Sequence, residues 1–479
     1  MSAPDVVIIG SGPNGLAAAV ALAQAGASVQ VLEFRDQIGG GTRTAELTLP
    51  GFAHDVCSAV HPMGVLSPYL RTLPLADHGL RWIRPPASVA HPLDHQPAVL
   101  LHRSLTETAA QLGADGTAYR ALLEPFLANP HGVIAGAMAP LGIPRHPLLM
   151  LRFALAGLRS ATSLAGRFND VRARALLAGC AAHSILPLDR PLTGGVGLMF
   201  LLTGHVEEWP VAAGGSQAIA GALASLLGSL GGRIEMGVMV RSLADLPAAR
   251  LYLFDTSPAQ LATIAGDVFP PSYVRRLQQF RYGPGIFKLD WALDAPIPWR
   301  DPRCLMASTV HLGGTLEEIA AAEAAVWRGE HPERPYVLLC QQSQFDPSRA
   351  PVGKQTGWAY CHVPAGSDVD LTEIVERQIE RFAPGFKSTI LARHATRTAD
   401  LERYNPNCVG GAITGGVSDL AQQFARPVAR FNPYTTPNAR VLICSSSTPP
   451  GGGVHGMCGY YAAQAALRRL TRFVPAPLK

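Results

Sequence analysis

The apolar positions along the chain fall into a few sharply different patterns. Residues 5–10, D-V-V-I-I-G, form a short unbroken apolar run closed by glycine. Such a run predicts a strand covered on both faces, as in a parallel sheet. After Gly10-Ser11-Gly12-Pro13-Asn14-Gly15 comes an Ala-rich stretch that predicts a helix ending at Gly26, and Ser28–Glu33 (S-V-Q-V-L-E) reads as the second strand. Near the other end, V-L-I-C after Arg440 predicts another buried strand. A glycine-rich loop and a helical Y-Y-A-A-Q-A-A-L-R-R-L follow it. Between these ends, Trp209–Ser216 opens a helix, Gly231-Gly232-Arg233-Ile234-Glu235 leads into another unit, and Leu251–Pro258 supplies a further strand. Glu317–Arg328 and Leu371–Phe382 place apolar residues at helical spacing and predict amphipathic surface helices.

Two apolar stretches raise the question of a membrane. Trp209–Gly232 is a long uncharged stretch, but its Gly, Ser and Gln residues favour a helix packed on a sheet over a span. His146–Arg159 (H-P-L-L-M-L-R-F-A-L-A-G-L-R) is apolar with interspersed arginines. We read it as a buried helix of a substrate domain, with a helix lying on a membrane surface as the alternative.

Composition narrows the class. Only 16% of the 479 residues are charged, against ~25% in ordinary soluble domains, and 48% are apolar or aromatic, which excludes disorder. Net charge is +5 without a clustered Lys/Arg face, so no nucleic-acid partner is expected. The densest basic point, Arg468, Arg469 and Arg472, reads as a solvated helix end, with contact to an anionic membrane as the rival. The eight cysteines form no C-x-x-C and no zinc-ribbon spacing, so neither a metal site nor a redox dithiol is expected. Thiols without a signal-like leader point to a reducing cytoplasm.

The chemistry lies in the glycine turns. In Gly10-x-Gly12-x-x-Gly15, one glycine makes the tight turn, the second lets main chain approach a pyrophosphate, and the third lets helix and strand pack closely. The helix then presents free N–H groups and partial positive charge to the phosphates. Glu33, ending the second strand, is placed to bind ribose hydroxyls and argues against a 2′-phosphate. Strand, turn, helix and acid together predict dinucleotide binding.

Ile38-Gly39-Gly40-Gly41-Thr42-Arg43-Thr44 resembles the G-G-x-x-R-T extension of FAD-binding proteins of the glutathione-reductase structural class. These blocks, with R-Y-G-P-G-I-F-K-L-D-W-A-L, N-P-N-C-V-G-G-A-I-T-G-G and P-P-G-G-G-V-H-G-M-C-G-Y, resemble the phytoene-desaturase-like family of FAD oxidoreductases over nearly the whole chain. Within it the resemblance runs to the branch of pyridine nucleotide-disulfide oxidoreductase domain-containing protein 2. No C-x₄-C pair follows the second glycine block, and no second strand–G-x-G-x-x-G–helix unit is found, so neither feature of a disulfide reductase is present in the sequence.

The resemblance implies an α/β fold, with a glutathione-reductase-type FAD-binding Rossmann domain interleaved with a mixed α+β substrate domain. We assign 1–75, 206–268 and 436–479 to the discontinuous FAD-binding domain and 76–205 and 269–435 to the substrate domain. The expected cofactor is non-covalent FAD, held by Gly10, Gly12, Pro13, Asn14, Gly15, Glu33, Phe34, Arg35, Gly40, Gly41, Thr42, Arg43, Val238, Met239, Val240, Thr256, Gly453, Val454, His455, Gly456, Met457 and Cys458. The amides of Met457 and Cys458 are expected to face the flavin N1 and C2 carbonyl. His61 and His455 are the candidate acid/base residues; the alternatives are a loop-holding histidine and a cofactor contact. His54 and Asp55 read as structural, as does His183. Trp209, Tyr434 and His205 are candidate substrate contacts, with core packing as the alternative for each.

The expected reaction is hydride transfer from a hydrophobic substrate, isoprenoid- or acyl-like, to flavin N5, with desaturation or isomerisation of a C–C bond. Oxygen or a quinone is the expected acceptor. The alternatives are an amine or amino-acid oxidase, which an aromatic cage and a carboxylate-binding Arg would favour, and a non-catalytic FAD-containing partner protein. Peripheral membrane contact and a homodimer are compatible with the sequence, though no motif marks the dimer.

Overall fold

The computed structural model describes residues 3–471; Arg472 of the basic cluster lies outside them. Five parallel strands in the order Val441–Ile443, Leu251–Phe254, Val6–Ile9, Val29–Leu32, Arg233–Glu235 form one sheet. The unbroken apolar run of the first strand is explained by two cores. Val6 and Ile8 pack toward the helices Pro13–Gln24, Gln217–Ser229 and Met457–Leu470. Val7 and Ile9 pack toward Pro258–Ala265 and Pro271–Gln278 on the opposite face. These are the three layers of a doubly wound domain.

A second sheet has seven strands, ordered Ile390–Thr396, Gly285–Leu293, Gln355–Val363, Val337–Cys340, Ala307–Leu312, Ala87–His91, Val99–Leu101. It is antiparallel except where Ala307–Leu312 runs parallel to Ala87–His91. Helices from residues 105–207 cover one face, and the helix Thr372–Phe382 packs on the other. The strands of the parallel sheet all fall within segments 1–75, 206–268 and 436–479, and those of the mixed sheet within 76–205 and 269–435.

Asp55 ties the start of the helix Gln217–Ser229 to the seven-stranded sheet. It accepts from Thr44 Oγ1 (2.8 Å) and the Ser216 amide (2.8 Å), pairs with Arg349, and its carbonyl accepts from Trp358 Nε1 (2.7 Å). Burial pushes its carboxyl up, but the Arg349 guanidinium and these hydrogen bonds outweigh burial and hold it below the usual range.

One element departs from expectation. The 146–159 segment forms the helix Pro147–Gly157, but it is not a buried helix. Leu148, Leu151, Leu155 and Leu158 stand exposed along one side, while Met150, Phe153 and Ala154 turn inward. No helix among the described residues is long and apolar enough to cross a membrane.

Candidate active site

A single cavity of about 790 Å³ runs from the end of the second strand, past the first glycine turn, into an apolar chamber of the second domain. Volume and lining match small-molecule and cofactor sites.

The crevice end is made of main chain. Gly10 has φ 102° and donates to Leu32 O at 2.8 Å. A Cβ on Gly15 would stand 2.2 Å from the Gly10 carbonyl, so only glycine lets the helix sit this close. A Cβ on Gly40 would stand 3.0 Å from Gly12 Cα, because the two glycine turns abut. Gly10, Gly12, Pro13, Asn14, Glu33, Phe34, Gly40, Gly41, Arg43, Val238, Met239, Val240, Thr256, Gly453, Val454 and His455 all line the cavity. Glu33 accepts from the Ser11 amide (3.1 Å), Ser11 Oγ (2.5 Å), the Arg35 amide (3.0 Å) and Arg43 Nη2 (3.0 Å). Asn14 Oδ1 and Thr256 Oγ1 are buried beside the crevice without a hydrogen-bond partner among the described residues. Orphaned buried oxygens are costly unless a ligand or water serves them.

Several expected contacts lie behind this wall. Gly15 and Thr42 are buried supports, Thr42 Oγ1 donating to Gly39 O at 2.8 Å. Arg35 is spent on the carbonyls of Arg403 (2.7 Å) and Tyr404 (2.8 Å). The Met457 amide does not face the cavity; it donates to His455 Nδ1 at 3.0 Å. Cys458 is tied through its thiol to Thr448 O (3.4 Å) and Gly451 O (3.3 Å), and Gly456 at φ 68° turns the chain into the helix. The wall is thus the loop 452–455 rather than the helix tip.

The histidines also sort differently from expectation. Ser216 Oγ donates to Ser58 O (2.7 Å), so it accepts from His61 Nε2 (2.7 Å), and His61 Nδ1 is left buried and unpartnered. Its neighbours Val60 and Pro62 line the cavity; the His61 ring does not. Burial lowers it to about 4, so it is neutral. His455 lines the cavity, but its ring caps the last helix. His205 is set back in the core between Tyr119 Oη (2.8 Å) and Arg103 O (3.2 Å). Tyr434 is likewise buried away from the cavity, its hydroxyl donating to Pro449 O at 3.0 Å.

Trp209 does face the chamber, held by Nε1 donation to Thr203 Oγ1 at 3.1 Å. Beside it stands His183, which the sequence places among core residues. Its ring lies 4.4 Å from Phe200 and 5.4 Å from Trp209, and its Nε2 is 3.0 Å from His311 Nε2. Met138, Met150, Phe153, Met199, Trp358 and Tyr360 complete an apolar, aromatic chamber.

Three further residues escaped the sequence reading. Asp255 Oδ2 accepts from the Gly15 amide at 2.9 Å and lines the cavity. Burial pushes its carboxyl up to about 7; the Gly15 amide opposes this and nearby Glu33 adds to it. The only signal was its position at the end of a buried strand, next to Thr256. Lys288 is fully buried, paired with Asp290, its ammonium 5.5 Å from the Trp358 ring centre. Arg426 is 1% exposed on the cavity wall. Its four partners, Gly415 O (3.1 Å), Ser446 O (3.0 Å), Ser447 O (3.4 Å) and Gln423 Oε1 (3.2 Å), are all neutral. Burial lowers it to about 10, so the guanidinium stays charged, and among the described residues no carboxylate pairs with it.

Backbone strain gathers at the same cavity. Among the described residues, the non-glycine positions with positive φ are Ile185 (52°), Leu192 (75°), Glu208 (56°) and Val454 (57°). Ile185, Leu192 and Val454 line the cavity, and Glu208 precedes Trp209. Such conformations persist where surrounding structure fixes them, typically at functional sites.

Comparison with known proteins agrees with this architecture. Residues 8–73 match the family described as NAD(P)-binding Rossmann-like domain. An oxidoreductase from Methanosarcina mazei shares the fold at a TM-score of 0.65 and 15% identity, over 97% of this chain and 99% of the other. Wild-type putrescine oxidase bound to putrescine shares it at a TM-score of 0.62 and 18% identity, over 98% and 99%. The pyridine nucleotide-disulfide oxidoreductase domain-containing protein 2 of Mus musculus is 30% identical over 97% of this chain and 94% of its own length. At that identity and coverage, the chain belongs to the oxidoreductase family of pyridine nucleotide-disulfide oxidoreductase domain-containing protein 2.

Proposed function

We propose that the protein is an FAD-dependent oxidoreductase that takes hydride from a hydrophobic organic substrate, desaturating a C–C bond where a proton leaves as well, or isomerising one where the hydride is returned. One observation carries this reading: a single cavity joins a glycine-built nucleotide crevice to an apolar chamber. The orphaned Asn14 Oδ1 and Thr256 Oγ1 along the crevice fit an extended polar cofactor. Glu33 would hold the ribose hydroxyls, the N-terminus of Pro13–Gln24 the diphosphate, and Arg43 would brace Glu33 from the side. When bound, FAD supplies the hydride acceptor. The protein orients the substrate against Trp209, Phe200 and Met199 and keeps water from the reacting carbon. No covalent tether is proposed, because the Cys458 thiol is buried behind the wall and burial pushes it up to about 11.

Arg426 favours a second reading. A charged guanidinium with neutral partners on the cavity wall suits a carboxylate, and the chamber is aromatic. Together they support oxidation of a C–N bond in an amino acid.

The visible spectrum of purified protein, taken anaerobically, tests the proposal. A flavin spectrum bleached by isoprenoid or long-chain acyl compounds but not by NADPH supports it. Bleaching by amino acids selects the second reading, and rapid bleaching by NADPH recasts the protein as a reductase.

A further inference from the structure

The exposed side of the helix Pro147–Gly157 is the least expected surface of the molecule. Leu148 (81%), Leu151 (55%), Leu155 (68%) and Leu158 (46%) repeat at helical spacing, and Leu141 (72%) and Ile143 (98%) extend the patch into the preceding loop. Soluble proteins expose single leucines freely but rarely align six large aliphatic side chains on one face. The opposite side of the same helix lines the cavity through Met150, Phe153 and Ala154. Leu141 and Leu158 belong to both surfaces, so the cavity reaches the outside at this patch.

Charge distinguishes among occupants. From Pro125 to Asn169 the chain has no Asp or Glu, while Arg145, Arg152, Arg159 and Arg167 are spread through the segment. Arg145 and Arg152 are exposed. An apolar helix face flanked by arginines and free of acids is the composition that lies in the boundary layer of an anionic bilayer. A second copy of this chain would bring its own four arginines against these and meet like charge.

We propose that this face seats on an anionic lipid surface, with the leucines among the acyl chains and the arginines at the headgroups. The cavity then opens into the bilayer, so a lipid-soluble substrate reaches the chamber without crossing water.

Cosedimentation of the full-length protein with vesicles tests this. Expected is binding to vesicles of equal parts phosphatidylcholine and phosphatidylglycerol, weaker binding to phosphatidylcholine alone, and loss with added salt. Replacing Leu148, Leu151 and Leu155 together by Ser should lower partition by about tenfold or more. Arg145→Gln with Arg152→Gln should remove only the preference for phosphatidylglycerol. Leu391→Ser, on an exposed strand elsewhere, should change nothing. The leucines are already in water, so the melting temperature of the triple variant should not fall. Failure to sediment with either vesicle overturns the proposal, as does unchanged sedimentation of the triple variant. A concentration-dependent dimer abolished by the same three substitutions would also overturn it, by assigning the face to a second copy. Colour is scored in the same samples, so loss of vesicle binding by a yellow protein is distinct from failure of the flavin reading.

Discussion

The crevice and the chamber are two ends of one cavity built by opposite means. At the crevice the wall is largely main chain, and a Cβ on Gly40 would stand 3.0 Å from Gly12 Cα. At the chamber the wall is side chains, Met150 and Phe153 from one helix, Met199 and Phe200 from another, Trp358 and Tyr360 from the large sheet. A main-chain wall has no rotamers with which to accommodate an added atom. A side-chain wall repacks at modest cost. The crevice therefore tolerates little change in ligand shape, whereas the chamber can adapt to ligands of different shape.

Substitutions can break this contrast. Gly12→Val should have the largest effect and yield a colourless protein, because its side chain occupies the pyrophosphate approach; a yellow product by absorbance would relocate the phosphates. Glu33→Ala should weaken FAD binding by about tenfold to a hundredfold, the scale of a charged hydrogen bond, measured by fluorescence titration of apoprotein. Asp255 predicts a pH dependence. Its carboxyl, raised to about 7, is neutral below that pH and negative above it. A negative charge beside a diphosphate repels it, so FAD affinity should fall as pH rises through about 7 and beyond, and Asp255→Asn should flatten the profile. Phe200→Leu, in the chamber, should have the smallest effect on the cofactor, leaving FAD affinity within about twofold while changing which substrates bleach the flavin.

The contrast also explains what was legible in the sequence. The crevice is written in neighbouring residues: Gly10 through Gly15 and Gly40 through Arg43 each act through local turns, and Glu33 is fixed by the end of its strand. The loop 452–455 was found as well, but its division of labour was not, since His455 capping Met457 depends on a two-residue turn with Val454 at positive φ. The chamber was barely visible. His183 reads as a lone core histidine until His311, far along the chain, proves to be its partner. The rings of His61 and His205 stand off the cavity for the converse reason: Ser216 and Tyr119, both remote, hold them inward. Arg426 carries no sequence signal at all, because its importance lies in what is not near it.

The register of the parallel sheet sets a clock on biosynthesis. Val6–Ile9 leaves the ribosome long before its neighbour Leu251–Phe254, which pairs in turn with Val441–Ile443. At about 5–20 residues per second, the glycine turn waits roughly tens of seconds for its far wall. During that time the half-built sheet has an unpaired edge, the kind that favours mispairing. A chain cut before residue 441 would keep every residue of the first glycine motif and still have no crevice.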